Sequence, residues 1–177
     1  GISVALTKEE NFESDPIQIA KTLNIGGNPV GYLMYNQFLY AKGAALNAVF
    51  GDFKSQGVTD LILDLRYNGG GSVQNCIELA SMITGQFNEE IFSQQVWNTK
   101  LNAYWQERDP ERLTDYFTNE LSEANTPLNS LNLTRLYVIT TSESASASEL
   151  LINGLAPHIE VIQIGELTVG KNVGSIT

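Results

Sequence analysis

The stretch Leu61-Ile62-Leu63-Asp64-Leu65-Arg66-Tyr67-Asn68-Gly69-Gly70-Gly71 decides the fold class of this chain. Its first five residues form a short, nearly continuous apolar run, which predicts a strand buried on both faces. Three consecutive glycines then predict a tight turn with unshielded backbone N–H groups. A helical pattern over residues 73–83 follows, so this part of the chain should form a strand, a turn and a helix.

The same alternation extends on both sides of this stretch. The patterns predict strands at residues 30–38, 136–140 and 161–164, and helices at residues 44–56 and 148–155. Alternating strands and helices predict an α/β domain whose largely parallel sheet has right-handed crossovers. Between these elements, the sequence suggests a strand at residues 91–100. A helix should cover residues 109–124, since Asp109 suits an N-cap and Pro110 the first helical position.

Composition narrows the class of protein. A chain of 177 residues with 42% apolar residues can build one domain with a substantial core. Its 20 acidic and 10 basic residues give a net charge of −10 and no basic stripe, which argues against nucleic acid or anionic lipid as a partner. No apolar run approaches the ~20 residues needed to cross a bilayer. The printed residues show no signal-peptide pattern, and for a trimmed chain that absence says nothing about export.

The first 28 residues are polar and irregular, and they end in the turn Gly26-Gly27-Asn28-Pro29. We therefore expect residues 1–28 to be a linker or the remnant of a preceding domain. Cys76 is the only cysteine, so no internal disulfide can form, and its helical surroundings favour a core position.

Two short runs near the C-terminus contain residue types suited to catalysis. One is Ser144-Ala145-Ser146-Ala147-Ser148-Glu149, and the other is Gly165-Glu166-Leu167-Thr168-Val169-Gly170-Lys171. A serine hydroxyl becomes a nucleophile when a base removes its proton, and a lysine can be that base where burial or nearby positive charge favours its neutral amine. Lys171 follows an apolar strand and a glycine-containing segment, so we expect its amine to be buried.

The serine run also precedes a predicted helix. A helix N-terminus leaves N–H groups free and favours negative charge, so the N–H of Ala147 could stabilise an oxyanion. The glycine run after residues 61–65 should supply the second donor.

Taken together, the three runs resemble those of the C-terminal processing peptidases, also called tail-specific proteases. That family carries Asp-Leu-Arg-x-Asn-x-Gly-Gly, then Ser-Ala-Ser-Ala-Ser-Glu, then Gly-Glu-x-Thr-x-Gly-Lys. All three occur here in the same order, with a matching interval from Ser146 to Lys171. The similarity covers roughly residues 29–171 and weakens between residues 87 and 132. The family often has Gln four residues after the lysine, where this chain has Ser175, and it usually carries a preceding PDZ domain, which is not recognisable here.

The resemblance implies a fold, an activity and a set of site residues. The fold would be a Clp-protease/crotonase-like core, with residues 29–177 forming a protease core cut short at its C-terminal end. The activity would be that of a serine endopeptidase cleaving polypeptides near their C-termini. Ser146 would be the nucleophile and Lys171 the base, while Ala147 and Gly70, with Gly71 as the adjacent candidate, would form the oxyanion hole.

The same resemblance implies further properties. The partner would be a polypeptide substrate, neither metal nor cofactor would be required, and assembly into a homo-oligomer would be an option. The compartment would be extracytoplasmic, either periplasmic or associated with the envelope.

Several alternatives stand beside this interpretation. Ser146 and Glu149 also fit a capping box. The two interpretations are compatible, because a nucleophile can lie at the start of a helix. Ser144 and Ser148 are rival nucleophiles, with Ser144 second in rank. The Gly165–Lys171 run fits a phosphate-binding loop, but Asn172 stands where that motif needs Ser or Thr, so we reject this interpretation.

Two other functions would suit the same fold. One is a non-catalytic module that binds a ligand or peptide, and the absence of Gln at position 175 leaves room for it. The other is a crotonase-like acyl-CoA enzyme, which would not need the pairing of Ser146 with Lys171. The net charge of −10 also disfavours an anionic cofactor.

Overall fold

The computed structural model describes residues 4–5 and 15–174. Ser175 lies outside these residues. The strands in chain order are β1 (Ile17–Ile25), β2 (Asn28–Tyr35), β3 (Asp60–Asp64), β4 (Ile91–Gln94), β5 (Thr114–Tyr116), β6 (Arg135–Thr140) and β7 (Glu160–Gly165). The helices are α1 (Gly43–Ser55), α2 (Val73–Thr84), α3 (Thr99–Arg108) and α4 (Ala147–Leu155), with short 3-10 helices at Tyr40–Lys42 and Pro110–Leu113.

The main sheet contains five strands in the order β1-β2-β3-β6-β7. Only the β1–β2 pair is antiparallel, and the other three pairs are parallel. Strands β4 and β5 form a separate antiparallel pair. This architecture confirms the prediction of an α/β fold with a largely parallel sheet and flanking helices.

Three helices share one apolar core with the sheet. Strands β2, β3, β6 and β7 follow one another in one direction across the sheet, so right-handed crossovers place α1, α2 and α4 on the same face. The side chains of β3 show that this face of the sheet is the covered one. Leu61 and Leu63 are fully buried, whereas Ile62 between them points to the other face and is half-buried. Helix α1 adds Leu46 and Phe50 to that core, and full burial of each such side chain contributes about 1.5–3 kcal/mol.

Residues 17–25 form an edge strand of the main sheet, within the segment that the sequence predicted to be a linker or the remnant of a preceding domain. Strand β1 pairs along its length with β2, with a register shift between Ile17 and Ile19. Its side chains are exposed or half-buried, so it lacks the buried apolar residues that identify a strand in sequence. The division of the chain at residue 28 stays a prediction.

The prediction for residues 91–124 was wrong in two places. The expected strand at 91–100 ends at Gln94, and α3 begins at Thr99 with Asn98 as its N-cap. Helix α3 buries none of its residues, so it has no apolar stripe that could reveal it in sequence.

The expected helix at 109–124 is only a 3-10 turn followed by β5. Asp109 and Pro110 do begin a helical turn, but pairing with β4 then takes over the backbone. Ser93 Oγ donates to Asp115 Oδ2 at 2.6 Å across this pair. Leu113 and Phe117 in this segment are buried without a regular helix.

The parallel arrangement brings two loops together. Asp64 at the end of β3 pairs with Ile139 near the end of β6, and Leu65 N–H donates to Ile139 O at 2.9 Å. The loops that follow these strands therefore lie side by side at the carboxyl edge, where open α/β sheets hold their ligands. Within the described part of the chain, no helix has the length and apolar character needed to span a membrane.

Candidate active site

Ser146 lies in a strained turn between β6 and α4. Its backbone has φ 58° and ψ −111°, a conformation that side-chain-bearing residues rarely adopt. It is the N-cap of α4, and its side chain is half-buried. A sharp strand-to-helix turn of this kind presents a serine hydroxyl at the top of a sheet. The hydroxyl of Ser146 donates to no acceptor in the described residues.

The two rival serines have structural roles. Ser144 Oγ donates to Leu65 O at 2.7 Å, and Ser148 Oγ donates to Asn68 O at 2.8 Å. Both residues are fully buried. They join the turn around Ser146 to the segment after β3, which leaves Ser146 as the accessible hydroxyl of the three.

Glu149 connects the Ser146 turn with the segment that carries Lys171. Its Oε2 accepts the N–H of Ser146 at 2.7 Å and the N–H of Lys171 at 3.0 Å. Its Oε1 accepts the Thr168 hydroxyl at 2.7 Å and the N–H of Gly170 at 2.5 Å. We call this set the Glu149 bridge. It brings the main chains of the predicted nucleophile and the predicted base to the same carboxylate oxygen.

The Glu149 bridge also determines the charge state of its carboxyl group. Burial raises the pKa of Glu149, but the hydrogen bonds from Thr168 and from the three N–H groups outweigh burial and hold the pKa below its usual range. The carboxylate is therefore charged at neutral pH, and charge-assisted hydrogen bonds of this kind are the strong ones.

The side chain of Lys171 is exposed, so the prediction of a buried amine was wrong. Residues 166–174 run as a loop beyond the edge strand β7, and no described element packs over the lysine. Within residues 4–5 and 15–174, no hydrogen bond joins Ser146 Oγ to Lys171 Nζ, and Nζ has no ion-pair partner. The structure thus brings the two backbones together without joining the two side chains.

The three glycines at 69–71, which we call the Gly turn, lie against Ser146. A Cβ on Gly70 would be 2.7 Å from Ser146 Cβ and 3.0 Å from Ala147 N, so only glycine permits this approach. The N–H of Gly70 donates to Asn68 Oδ1 at 2.9 Å. The N–H groups of Gly71 and Ala147 have no acceptor among the described residues.

Asn68 holds the Gly turn in place. Its buried side chain donates to Tyr35 O at 2.9 Å while accepting from Gly70, and its carbonyl oxygen accepts the N–H of Ala145 at 3.1 Å. Asn68 therefore links strand β2, the Gly turn and the Ser146 turn.

Two buried side chains, Asp64 and Cys76, make further hydrogen bonds next to these turns. Buried Asp64 forms an ion pair with Arg66, whose guanidinium group donates two hydrogen bonds to Oδ2 (2.7 and 3.1 Å), and Oδ2 also accepts one from the Tyr32 hydroxyl (2.7 Å). Burial raises the pKa of Asp64, but these partners outweigh it and hold the pKa below its usual range. Cys76 is fully buried, and its Sγ donates to Ala147 O at 3.3 Å.

Neither a histidine nor a metal-binding cluster is found at this edge among the described residues. The single histidine, His158, packs against Phe87 and Phe117, and its Nε2 lies 3.2 Å from Ile91 O. The His158 side chain is only 16% exposed. In the part of the chain that the structure describes, no group of three or more His, Cys, Asp or Glu side chains could hold a metal ion.

Sequence reasoning missed the positioning roles of Glu149, Thr168 and Asn68. Each lies inside one of the three quoted runs, so the motifs contained the signal. Glu149 was interpreted only as a capping residue, and its second partner segment could not be inferred before the two loops were placed in space.

Comparison with known proteins extends these observations. The family model described as "Peptidase family S41" matches residues 29–177. The chain is 23% identical over 171 residues to "Carboxyl-terminal-processing peptidase 1, chloroplastic" of Arabidopsis thaliana, covering 97% of this chain and 31% of that protein. It is 28% identical over 147 residues to "Carboxyl-terminal-processing protease" of a Picosynechococcus species, covering 83% of this chain and 30% of that protein.

A solved structure shows the same fold. A putative S41 protease from Bacteroides fragilis superimposes with a TM-score of 0.77 at 30% identity, covering 92% of this chain and 41% of that chain. The present chain thus spans about a third of the length of these curated relatives and less than half of this solved chain.

Proposed function

Because the chain belongs to peptidase family S41, we propose that the protein is a serine endopeptidase that cleaves polypeptides near their C-termini. Ser146 is the nucleophile, Lys171 is the base, and the N–H of Ala147 with an N–H of the Gly turn forms the oxyanion hole. The substrate is a polypeptide, as the names of the two curated relatives suggest. In line with the sequence resemblance, the protein acts outside the cytoplasm, and homo-oligomers are compatible with this proposal.

The Glu149 bridge is the observation that supports this proposal best. One carboxylate oxygen accepts N–H groups from both Ser146 and Lys171, which are distant in sequence. A merely structural capping box would need the first of these hydrogen bonds and not the second. The bridge therefore favours a site in which the two side chains work together.

The chemistry follows from these positions. Neutral Lys171 takes the proton of the Ser146 hydroxyl, and Ser146 Oγ attacks a peptide carbonyl. The two backbone N–H groups stabilise the negative charge on the carbonyl oxygen. Lys171 then protonates the leaving amine and activates the water molecule that hydrolyses the acyl-enzyme. Because a lysine is a base only when its amine is neutral, we infer that bound substrate removes the exposed Lys171 amine from water.

A second candidate function is a peptide-binding module without catalysis. The exposure of Lys171 is the observation that favours it, since a solvated amine lies outside hydrogen-bond contact with Ser146. The two functions differ in one respect, because only a peptidase forms a covalent bond to Ser146.

The test is acyl-enzyme formation by the full-length protein. A peptide activated as a nitrophenyl ester should give a burst of nitrophenol, and the acid-quenched protein should gain the mass of the acyl group. Fragment mass spectrometry should place the adduct on Ser146. Ser142 offers a matched control, since it is exposed on the same turn, and Ser142→Ala should keep the burst while Ser146→Ala loses it. An intact ester and an unmodified protein would favour the binding module.

A further inference from the structure

A half-open cavity of about 360 Å³ lies between β4, α3 and the 3-10 turn that precedes β5. Its walls share no residue with the loops that carry Ser146, Lys171 and the Gly turn. They belong to residues 87–132, where the resemblance to the family weakens. The volume is within the range of about 300–1,000 Å³ that is typical of ligand sites. The cavity is thus a candidate binding site separate from the candidate active site.

Amide groups dominate the lining of this cavity. Gln94 and Gln95 line it at the end of β4, while Asn102 and Gln106 project from successive turns of α3. Thr114 adds a hydroxyl, and none of the described lining residues carries a charge. A charged ligand group would lose water there without gaining an opposite charge. In a chain with 20 acidic residues, this neutral lining favours an uncharged ligand that forms hydrogen bonds.

Two of the four amide groups are held at one end. Gln95 Nε2 donates to Asp115 Oδ1 at 3.2 Å, which leaves the carbonyl oxygen of Gln95 as an acceptor. Asn102 Oδ1 accepts the N–H of Trp97 at 3.4 Å, which leaves the NH₂ group of Asn102 as a donor. The partners determine both orientations, because a carboxylate only accepts and a backbone N–H only donates. The cavity therefore presents one oriented acceptor and one oriented donor.

A main-chain peptide group is the complement of this pair. Each residue of a polypeptide offers one N–H donor and one C=O acceptor, and neither is charged. Val96 lines the same cavity with a side chain that is 90% exposed, so it can contact an apolar side chain of the ligand. A glycan is a weaker match, since the described lining offers no aromatic ring for a sugar to stack on.

Resting on the proposed peptidase function, we infer that this cavity is a second binding site for the polypeptide substrate, remote from the bond that is cleaved. It holds an uncharged segment in an extended conformation. Asn102 Nδ2 donates to a main-chain carbonyl oxygen of that segment, and Gln95 Oε1 accepts a main-chain N–H. Binding there strengthens the complex with substrate without taking part in the chemical step, so it lowers KM and leaves kcat unchanged.

The packing of β4 relates the cavity to the nucleophile. Phe92 of β4 packs against Gly154, which lies eight residues (154 − 146), or about 12 Å, along α4 from Ser146. Gln94 follows two residues further along β4. An extended chain advances about 3.3 Å per residue, so a polypeptide needs more than about four residues to reach from Ser146 to the cavity. Long substrates therefore use both sites, and short ones use the active site alone.

Binding is measured on the Ser146→Ala variant of the full-length protein, which leaves the peptide intact. The probe is a hexapeptide of alternating serine and valine, amidated and labelled with an uncharged dye. We expect Asn102→Asp to weaken its binding by about tenfold or more. The new carboxylate still accepts the N–H of Trp97, but it replaces the free donor with an acceptor. Asn119→Asp adds the same charge at an exposed position outside the cavity and should leave the affinity unchanged.

A second variant tests the acceptor. Gln95→Met removes the free carbonyl oxygen at similar volume, and Asp115 keeps its hydrogen bond from Ser93. It should also weaken the binding of the hexapeptide by about tenfold, whereas Gln56→Met at the exposed end of α1 should not. Equal thermal unfolding midpoints would show that folding is not the cause. Displacement of the probe by maltohexaose and not by unlabelled hexapeptide would overturn the inference in favour of a glycan site.

Cleavage kinetics test the reach between the two sites. For a peptide substrate of about fifteen residues, Asn102→Asp should raise KM about tenfold and leave kcat unchanged. The burst from a nitrophenyl ester too short to reach the cavity should stay the same. Equal losses with the long peptide and the short ester would mean that the variant disturbs the active site, and that result would overturn the inference.

The outcomes separate the inference from the proposed function. A full-length protein that forms no acyl-enzyme contradicts the peptidase proposal, while binding of the hexapeptide that depends on Asn102 would still support a polypeptide site in the cavity. A protein that forms the acyl-enzyme, yet binds the hexapeptide equally well with Asn102→Asp and Asn119→Asp, keeps the peptidase proposal and contradicts only the role of the cavity.

Discussion

Replacing Ser146 with alanine is expected to lower kcat/KM for peptide cleavage by at least about 10⁴-fold, and replacing Lys171 with methionine should do the same. Each change removes one member of a pair that transfers a single proton, so the other member is left without a function. The double variant should therefore be no worse than either single variant, since residues acting as a unit are strongly non-additive.

The chain offers matched controls for both changes. Ser142 and Lys100 are exposed residues of the same types, and the variants Ser142→Ala and Lys100→Met should retain full activity. Circular dichroism and thermal unfolding should show that all variants fold. Fully additive losses in the double variant would mean that Ser146 and Lys171 act independently, and that outcome would contradict the dyad.

Replacing Glu149 with glutamine is expected to reduce kcat/KM by about 100-fold, the effect of moving a catalytic group by about 1 Å. Each carboxylate oxygen accepts two donors, and the glutamine side chain presents an NH₂ group to one of those pairs. The two donors that bonded to the replaced oxygen lose their acceptor and instead face the donor NH₂ group of the glutamine. The free energy of unfolding should therefore fall by about 1.5–3 kcal/mol. Urea unfolding and peptide cleavage assays measure the two effects.

The effect of Glu149 on stability has a definite pH dependence. The pKa of Glu149 in the folded protein lies below its usual range, so the unfolded chain binds the proton more readily than the folded protein. The stabilisation by the carboxylate is therefore complete above the ordinary carboxyl pKa of about 4.3 and is lost as the pH falls through the lower, folded value.

The difference in unfolding free energy between the parent protein and Glu149→Gln should accordingly be constant near neutral pH and shrink in acid. Glu143 is an exposed neighbour, so Glu143→Gln removes the same formal charge and should change neither stability nor activity by much. A difference for Glu149→Gln that grows as the pH falls would contradict the charged state of the bridge.

The parts of the fold that pattern analysis predicted are those whose residues face the core. Strands β2, β3, β6 and β7 and helices α1, α2 and α4 were all predicted to within a few residues. Their buried side chains recur at the spacing of the element, as Leu61 and Leu63 do in β3. Strand β1 and helix α3 bury little or nothing, so their sequences carry no such spacing.

The sequence identified the residues of the candidate site, but it did not predict how they are arranged in space. The three runs named Ser146, Lys171 and the Gly turn, and the parallel order of β3 and β6 explains why two of these lie together. The exposure of Lys171 depends on whether other parts of the protein pack over its loop. The pattern of neighbouring residues in the sequence does not encode such long-range packing. The hydrogen bond from the N–H of Gly70 to Asn68 Oδ1 could not be read from the sequence either, because it appears only when the turn is built.

The backbone of Ser146 has a consequence for any redesign of this protein. With φ 58° and ψ −111°, this position is strained for every residue except glycine, at a cost of about 1–3 kcal/mol. A procedure that chooses each amino acid for folding stability alone would therefore select Ser146→Gly among its first changes. The resulting chain would be more thermostable and would lack the one hydroxyl on which the proposed chemistry depends. A redesign for higher thermal stability must therefore keep Ser146 and change residues at other positions.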